Sequence, residues 1–370
     1  MNFRDLFRKY IFLCLEFLLP QVPFPSFIDM FKLVFLPSAL VSASSMEVAT
    51  DHWGRFPVEF SVDNAPMNGY AALNLVDNRF SFTFHGSENR RNVRDRLRPA
   101  TGVSIAGNRL RISFQNLSRS YTTVEVVERT ELPNVNQRLL IGASPHSTLS
   151  QHVTGFLMAP ITPTEGRIVF SPEHPENYAL DNQLFYAHLA NNPEWAAIYG
   201  HHDLWGVNAA IRFVNESDAA SPVDESASPF IPCLIGSLNW NEPYPEPFRV
   251  PSRVIRDFVR IAQSRGLEVL RMQEAPYSLF VNGITDALMQ SLPTMQYIVQ
   301  TEDGQQVSVI NLDPHQYIIP TDNPNQYRVR LGQARVSSYC SFNEDLRRRM
   351  VLHFDTQNQR VGFGEPLIEF

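Results

Sequence analysis

The closing stretch of the chain, residues 346–363, reads LRRRMVLHFDTQNQRVGF and decides the fold. Val351 and Val361 suit two paired strands, because β-branched side chains pack well on a pleated surface. Asp355 and Asn358 lie between them and are typical turn residues, since their short side chains hydrogen-bond nearby backbone groups. The stretch therefore predicts an antiparallel hairpin close to the C-terminus.

Short strands separated by turns are predicted over most of the chain upstream of this hairpin. Phe, Tyr and Pro number 26, 12 and 27, and alternating apolar residues recur between turn signals, as at residues 56–62. One clear helix is predicted over residues 252–266, where apolar residues recur at helical spacing: Val254, Ile255, Phe258, Ile261 and Ala262. The fold class predicted from these patterns is all-β with a few short helices.

The length of the chain predicts two lobes. It has 370 residues, of which 44% are hydrophobic, and single cores stop growing well below this size. We expect an N-terminal β lobe at residues 46–160 and a C-terminal β lobe at residues 161–370. Residues 1–45 are expected to be an N-terminal extension with a signal peptide.

The apolar N-terminal region has the order of a secretory signal rather than of a membrane anchor. Pro20 and Pro37 are among the prolines that interrupt it, so no continuous stretch of about 20 apolar residues spans a bilayer. From Met30, the basic Lys32 precedes an apolar run and then small residues around Ala43, which predicts cleavage near residue 43. We expect translation to begin at Met30 and the protein to be secreted.

The charge balance argues against a general nucleic-acid binder. The formal net charge is −7, and the only lysines are Lys9 and Lys32 in the leader region, whereas nucleic-acid binding needs a basic surface. No zinc spacing, phosphate loop or Ser-His-Asp arrangement is visible. We therefore expect no metal and no cofactor, and we expect a monomer.

Two further features bear on secretion. Beyond the signal only Cys233 and Cys340 remain, too few for a disulfide framework to hold the fold together. Asn116 and Asn215 each begin an Asn-x-Ser acceptor for N-glycosylation, which has physical meaning only in the secretory pathway. These two asparagines are the predicted glycosylation sites.

Several segments, in the same order, resemble pepsin-like aspartic proteases. The matching segments are residues 166–178 (GRIVFSPEHPENY), 205–207 (WGV), 292–299 (LPTMQYIV), 315–320 (HQYIIP) and the closing stretch 346–363. The resemblance implies a bilobed all-β fold with a cleft between the lobes. It also implies peptide-bond hydrolysis by two aspartates that share a proton and polarise a water.

The catalytic positions of that family depart from its Asp-Thr-Gly pattern in both halves. The resemblance places Asp77, in LNLVDNRFS, as the remnant aspartate of the N-terminal half, although an Asp followed by Asn is equally typical of a turn. In the C-terminal half, IPCLIGS fits the aspartate strand with Leu234 in place of the carboxylate. No Asp or Glu lies between residues 230 and 241. The second half of the acid–base pair is therefore expected to be missing.

Two other family positions are altered. Phe114 stands where a tyrosine covers the cleft from a hairpin, the flap, and it keeps the ring but loses the hydroxyl. Cys340 matches the second cysteine of the C-terminal lobe, whose usual partner is missing. Two alternatives stay open for Cys340: a free buried thiol or a disulfide with Cys233.

Three functional interpretations follow. The first is a hydrolytically inactive aspartic-protease homologue that holds an extended polypeptide in the interlobe cleft. The second is a diverged acid endopeptidase in which another carboxylate, Asp224 or Glu242, reaches the cleft. The third is a secreted β-rich interaction or structural protein that shares the fold alone; a cleft filled by side chains would favour it.

Overall fold

A computed structural model describes residues 45–368, except for 52–53, 63–64, 77–79, 85–92, 99–101, 107–108, 116–120, 127–137, 163, 201–203, 215–228, 236–247, 273–277, 334–339 and 343. The strands are β1 Met46–Asp51, β2 Phe56–Val62, β3 Ala65–Asn74, β4 Phe80–Phe84, β5 Val93–Arg98, β6 Gly102–Ala106, β7 Arg109–Gln115, β8 Tyr121–Val126, β9 Arg138–Gly142, β10 Gly155–Thr162, β11 Glu165–Phe170, β12 Phe185–His188, β13 Gly206–Val214, β14 Ile231–Ile235, β15 Phe248–Val250, β16 Glu268–Met272, β17 Ser278–Asn282, β18 Thr294–Gln300, β19 Gln306–Leu312, β20 Ile318–Pro320, β21 Gln326–Val329, β22 Leu331–Gln333, β23 Cys340–Phe342, β24 Val351–Asp355 and β25 Arg360–Gly364. The helices are α1 Thr148–His152, α2 Glu194–Tyr199, α3 Ser252–Ser264, α4 Asp286–Ser291, α5 Pro314–Tyr317 and α6 Glu344–Arg349, with short 3-10 turns at Pro175–Tyr178 and Leu180–Asn182.

Four sheets contain these strands. An eight-stranded sheet takes the order β5-β4-β9-β3-β2-β8-β7-β6, and a seven-stranded sheet takes the order β19-β18-β13-β14-β23-β15-β22. A four-stranded sheet takes the order β16-β17-β21-β20, and a six-stranded sheet takes the order β1-β11-β10-β24-β25-β12. The structure is therefore mostly β-sheet with few helices, which confirms the predicted fold class.

The predicted closing hairpin is confirmed. β24 and β25 pair in antiparallel register from Val351–Gly364 to Asp355–Arg360. The backbone N–H of Asn358 donates to the carboxylate of Asp355 at 3.0 Å, so the two predicted turn residues hold the turn together. Every residue of β24 is buried, because β24 lies between β10 and β25 inside the six-stranded sheet.

The predicted helix is also confirmed, as α3. Its buried residues are Val254, Phe258 and Ala262, the positions that the helical spacing assigns to one face. The helix caps one side of the core through Phe258, whose ring lies 6.0 Å from the ring of Tyr317. Local pattern was sufficient here because one face of the helix is apolar and the other is charged.

The six-stranded sheet combines segments that are far apart in sequence. β1 pairs with β11, β10 pairs with β24, and β12 pairs with β25. The division expected at residue 160 falls inside β10, which pairs with β11 in this sheet. The eight-stranded sheet lies wholly before residue 160 and the seven-stranded sheet wholly after it. The position of the boundary at residue 160 stays a prediction.

Candidate functional site

Two parallel strand pairs hold, or come just before in the chain, the positions that the sequence singled out. β3 and β9 run parallel, and their last pair is Asn74 with Gly142. β14 and β23 also run parallel, and their last pair is Ile235 with Phe342. Parallel pairing is otherwise rare in these sheets, since only β15 with β22 shares it among the described strands. Each half of the chain thus has one parallel pair at or next to a position that the sequence singled out, and we compare these two pairs as counterparts.

The counterpart positions carry no carboxylates. When the last residue pairs of the two strand pairs are aligned, Leu73 corresponds to Leu234 and Asn74 corresponds to Ile235. The side chain of Asn74 accepts a hydrogen bond from the backbone N–H of Val76 at 3.3 Å, so its amide is used in a local turn. Asp77 lies three residues beyond the last pair of β3, outside the described residues.

Leu234 has no exposed surface and lies in an apolar cluster. We call this group the Leu234 cluster: Ala190, Trp195, Leu204 and Leu234, with Val76 packed against it. Val76 follows β3, whereas the other four residues come from beyond residue 180, so the cluster joins the two halves of the chain. An aliphatic side chain surrounded in this way has no contact with bulk water.

Trp195 covers Leu234 from a short helix. A side chain in place of Gly206, which pairs with Leu234 across β13 and β14, would collide with the Trp195 ring. Trp195 is completely buried, and its indole N–H has no hydrogen-bond partner among the described residues. The close approach therefore depends on glycine at position 206, because any Cβ there would push the indole away.

The segment that carries Trp195 is fixed at both ends; we call residues 189–200 the covering segment. The backbone N–H of Ala190 donates to the carbonyl of Gly206 at 2.8 Å. The side chain of Asn192 accepts from the backbone N–H of Glu194 at 3.0 Å, which starts α2. Gly200 ends the helix with a left-handed φ of 83°, a conformation that favours glycine.

Trp205 ties the two parallel pairs together. Its indole Nε1 donates to the carbonyl of Ala143, just after β9, at 2.6 Å. Its own carbonyl accepts from the backbone N–H of Ile235, at the end of β14, at 2.7 Å. Its ring packs edge-on against Phe156 and Phe354, at 5.9 and 5.1 Å between centroids. The Trp205 side chain is therefore a structural anchor.

A cavity of about 650 Å³ lies beside the Leu234 cluster. Ala190 and Leu204 line this cavity and also belong to the cluster. The other walls come from residues 145–146, from the covering segment with His188, and from residues 358–359 of the closing hairpin. The cavity therefore shares a wall with the position where the resemblance places the second aspartate.

A buried polar group lies in the six-stranded sheet behind this cavity. The imidazole of His353 shares a hydrogen bond of 2.9 Å with the hydroxyl of Tyr186. Burial lowers the pKa of His353 to about 4, while the nearby Asp355 carboxylate opposes that change. Burial likewise raises the pKa of Tyr186 to about 12. His353 is therefore neutral over most of the pH range in which an ordinary histidine gains a proton.

Asp355, Arg360 and Glu302 form a cluster of ion pairs near His353. Burial alone would raise the pKa of Asp355, yet hydrogen bonds from Asn358 and Arg360 hold it below its ordinary value. Arg360 contacts Asp355 at 2.8 Å and Glu302 at 3.0 Å. The Arg360 guanidinium also lies 4.0 Å from the centroid of the Tyr186 ring. These contacts stabilise the turn of the closing hairpin.

Cys233 and Cys340 are bonded to each other in the structure, with 4.4 Å between their Cα atoms. They face each other in the parallel pair of β14 and β23, and both are fully buried. Of the two alternatives that the sequence left open, this geometry supports the disulfide. The bond lies next to Leu234 and fixes the strand on which Leu234 lies.

The other predicted site residues are only partly described. Phe114 lies in β7, opposite Thr122 of β8, and its side chain is outside the described part of the structure. Asn116, Asn215, Asp224 and Glu242 all lie outside the described residues.

Among the residues that are described, no three His, Cys, Asp or Glu side chains gather in a way that could hold a metal ion. Nor does any described helix have the length and apolar character that crossing a bilayer requires.

Sequence reasoning missed the covering segment. Its one signal is Trp195 placed directly after Asn192, Pro193 and Glu194, a combination typical of a helix start. A large aromatic in the first turn of so short a helix indicates burial against another element. The sequence did not reveal that the other element is the strand of Leu234.

Comparison with known proteins identifies the fold. No family model and no curated protein matches the chain. A crystal structure of basic 7S globulin from soybean matches with a TM-score of 0.50 and 13% identity, over 86% of this chain and 94% of that one. An aspartic proteinase from Irpex lacteus matches with a TM-score of 0.49 and 12% identity, over 88% and 98%. The chain therefore has the bilobed pepsin-like fold.

Proposed function

We propose that this protein is a secreted, hydrolytically inactive member of the pepsin-like fold that binds an extended polypeptide. The observation that carries the proposal is the burial of Leu234 beneath Trp195. Hydrolysis by this fold needs two carboxylates facing a shared water. An aliphatic side chain covered by an indole supplies neither the proton donor nor room for the water.

The register of the aspartate strand does not affect this conclusion. Shifting the alignment by one residue replaces Leu234 with Cys233 or Ile235, which are equally buried and equally unable to transfer a proton. In the N-terminal half the same shifts give Ala72, Leu73 or Asn74. No pair of counterpart positions at these strand ends therefore supplies two acids.

The active-enzyme alternative requires a carboxylate from elsewhere. Asp224 and Glu242 are the candidates in the loops flanking β14. Any carboxylate that took the place of Trp195 against Leu234 would have to displace the indole that fills it. Displacing a fully buried indole costs about 3–5 kcal/mol, on the scale measured for removing a large aromatic from a core. This cost argues against the alternative.

Secretion is supported by the predicted signal and by the disulfide. Cys233 and Cys340 are paired, and disulfides persist mainly in oxidising compartments. We expect cleavage near residue 43 and glycans at Asn116 and Asn215. N-terminal sequencing of the protein from culture medium and a mobility shift on glycosidase treatment test these expectations.

A cleavage assay tests the absence of hydrolysis. The purified protein is incubated with a denatured, reduced protein substrate from pH 2 to pH 7, with and without pepstatin. The proposal expects no cleavage above that of the same substrate incubated without the protein. Cleavage that pepstatin inhibits would instead establish an acid endopeptidase.

A further inference from the structure

We infer that the 650 Å³ cavity beside the Leu234 cluster is the polypeptide-binding site, and that it selects an uncharged segment. This inference rests on the proposed function and specifies where binding occurs. A volume of this size lies within the range of about 300–1,000 Å³ that is usual for ligand sites. The space next to Leu234 is filled by Trp195, so the neighbouring cavity is where a ligand side chain finds room.

The chemistry of the walls indicates the class of ligand. The residues that line the cavity include no Asp, Glu, Lys or Arg, as far as the described residues show. Three of them, Asn191, Asn358 and Gln359, carry side-chain amides. The amide nitrogens of Asn358 and Gln359 donate within the closing hairpin, whereas an amide oxygen can accept from the N–H of a peptide. His146 and His188 are the ionisable residues of the lining, and the His188 imidazole lies 3.2 Å from the Glu302 carboxylate. Walls with so few ionisable groups favour a neutral peptide, because an unpaired charge in the cavity would lose hydration without compensation.

The apolar residues of the lining favour a ligand with an aliphatic side chain. Ala190 and Leu204 form an aliphatic floor, and Pro145 and Pro193 add further apolar walls. Imidazoles are the only aromatic rings in the lining, so a nucleobase or a sugar ring has no phenyl or indole face to stack on. An extended segment with an aliphatic side chain fits these walls better than either of those ligands.

The cavity is also built from rigid elements. The backbone N–H of Leu189 donates to the carbonyl of Gln359 at 3.3 Å, which joins the covering segment to the closing hairpin. Gln359 donates from its side chain to the carbonyl of Thr356 at 2.7 Å. Rigid walls reduce the entropy lost on binding, so the site is preorganised for a ligand.

The test measures the binding of three labelled peptides by fluorescence anisotropy. The peptides share the same Leu and Ala residues and differ at the remaining positions, which are Gln in the first, Glu in the second and Lys in the third. We expect the Gln peptide to bind the full-length protein most tightly. Asn191 is exposed at the cavity, and Asn191→Trp should weaken binding by about tenfold or more by filling the entrance.

A matched substitution controls for the added indole. Asn325 is exposed in the turn between β20 and β21 and does not line the cavity, so Asn325→Trp should bind like the wild type. Asn191→Lys should shift the preference toward the Glu peptide by about fivefold, because it adds an opposite charge at the site. Equal melting temperatures for the three variants establish that folding is intact.

Three other results would each contradict a particular part of the inference or of the proposed function. If Asn191→Trp and Asn325→Trp bind the Gln peptide equally, the site inference fails and the proposed function stands. If a neutral oligosaccharide displaces the peptide, the assigned ligand class is wrong. If no peptide binds, both the site and the polypeptide-binding half of the proposed function fail, while the cleavage assay still decides hydrolysis separately.

Discussion

Replacing His353 should remove most of the acid sensitivity of this fold at mildly acid pH. The imidazole is buried in β24, where Tyr186 is its hydrogen-bond partner. Asp355, Arg360 and Glu176 are the charged groups that act on it. His353→Gln keeps a hydrogen-bonding group at this position and removes the group that titrates. The Tyr186→Phe variant is the matched control, because it removes the hydrogen bond and keeps the imidazole.

The magnitude follows from the pKa of His353. Burial lowers it from 6.5 to about 4, so the unfolded chain binds a proton that the folded chain does not bind between these values. At about 1.4 kcal/mol for each pKa unit, the free energy of unfolding should fall by about 3 kcal/mol as the pH drops from 7 to 4. Stability is complete above pH 6.5 and is lost as the pH falls toward 4. Asp355 titrates below this window, because its own pKa is lowered.

Urea denaturation at pH 7, 6, 5 and 4 measures this loss, with tryptophan fluorescence as the signal. Trp205 is a suitable reporter because its ring lies 5.1 Å from the ring of Phe354, the neighbour of His353. The loss should be present in the wild type and in Tyr186→Phe, and it should be largely absent in His353→Gln. An identical pH dependence in wild type and His353→Gln would refute the reasoning.

Three further predictions concern the Leu234 region. Trp195→Ala should lower the free energy of unfolding by about 3–5 kcal/mol. Trp195→Phe should lower it much less, because it keeps an aromatic ring and removes an unpaired buried N–H. Urea denaturation of both variants measures the difference. Leu234→Asp should not produce cleavage of a denatured substrate. It should destabilise the fold by about 3–5 kcal/mol, because the new charge is buried without a partner. Cleavage by this variant would contradict the proposed role of the covering segment. The double variant Cys233→Ala with Cys340→Ala should have a free energy of unfolding about 4–5 kcal/mol lower than the wild type, because the disulfide closes a loop of 107 residues. Thiol labelling of the denatured wild type, with and without reductant, is the control that shows whether the disulfide is present.

The acid sensitivity predicted for His353 also bears on function. An endopeptidase of this fold that used a carboxyl pair would work at acid pH, where one of the two carboxyl groups is protonated. The same acid pH would cost this chain about 3 kcal/mol through a single buried imidazole. This loss of stability is a cost that an acid endopeptidase would carry and that the proposed binding function does not require.

Much of the fold could be predicted from local sequence patterns. The closing hairpin and α3 follow from residue types at the right spacing, since turns and amphipathic helices are decided by residues close together in the chain. The resemblance to pepsin-like proteases added the pepsin-like fold and the assignment of the strand that contains Leu234. The candidate site was predicted only in part, because Leu234 was recognised by its position while the residues that cover it were not.

The sequence by itself determined that the C-terminal half lacks an acid at the expected strand, because residues 231–240 contain no Asp or Glu whatever the register. Tertiary structure alone decided what occupies that place: Trp195 reaches Leu234 and Gly206 from α2, which precedes both of their strands in the chain. Contacts of this kind depend on how separate elements pack, and packing is set by three-dimensional proximity that spacing along the chain does not encode. The cavity beside Leu204 exists for the same reason, since its walls come from four separate segments of the chain.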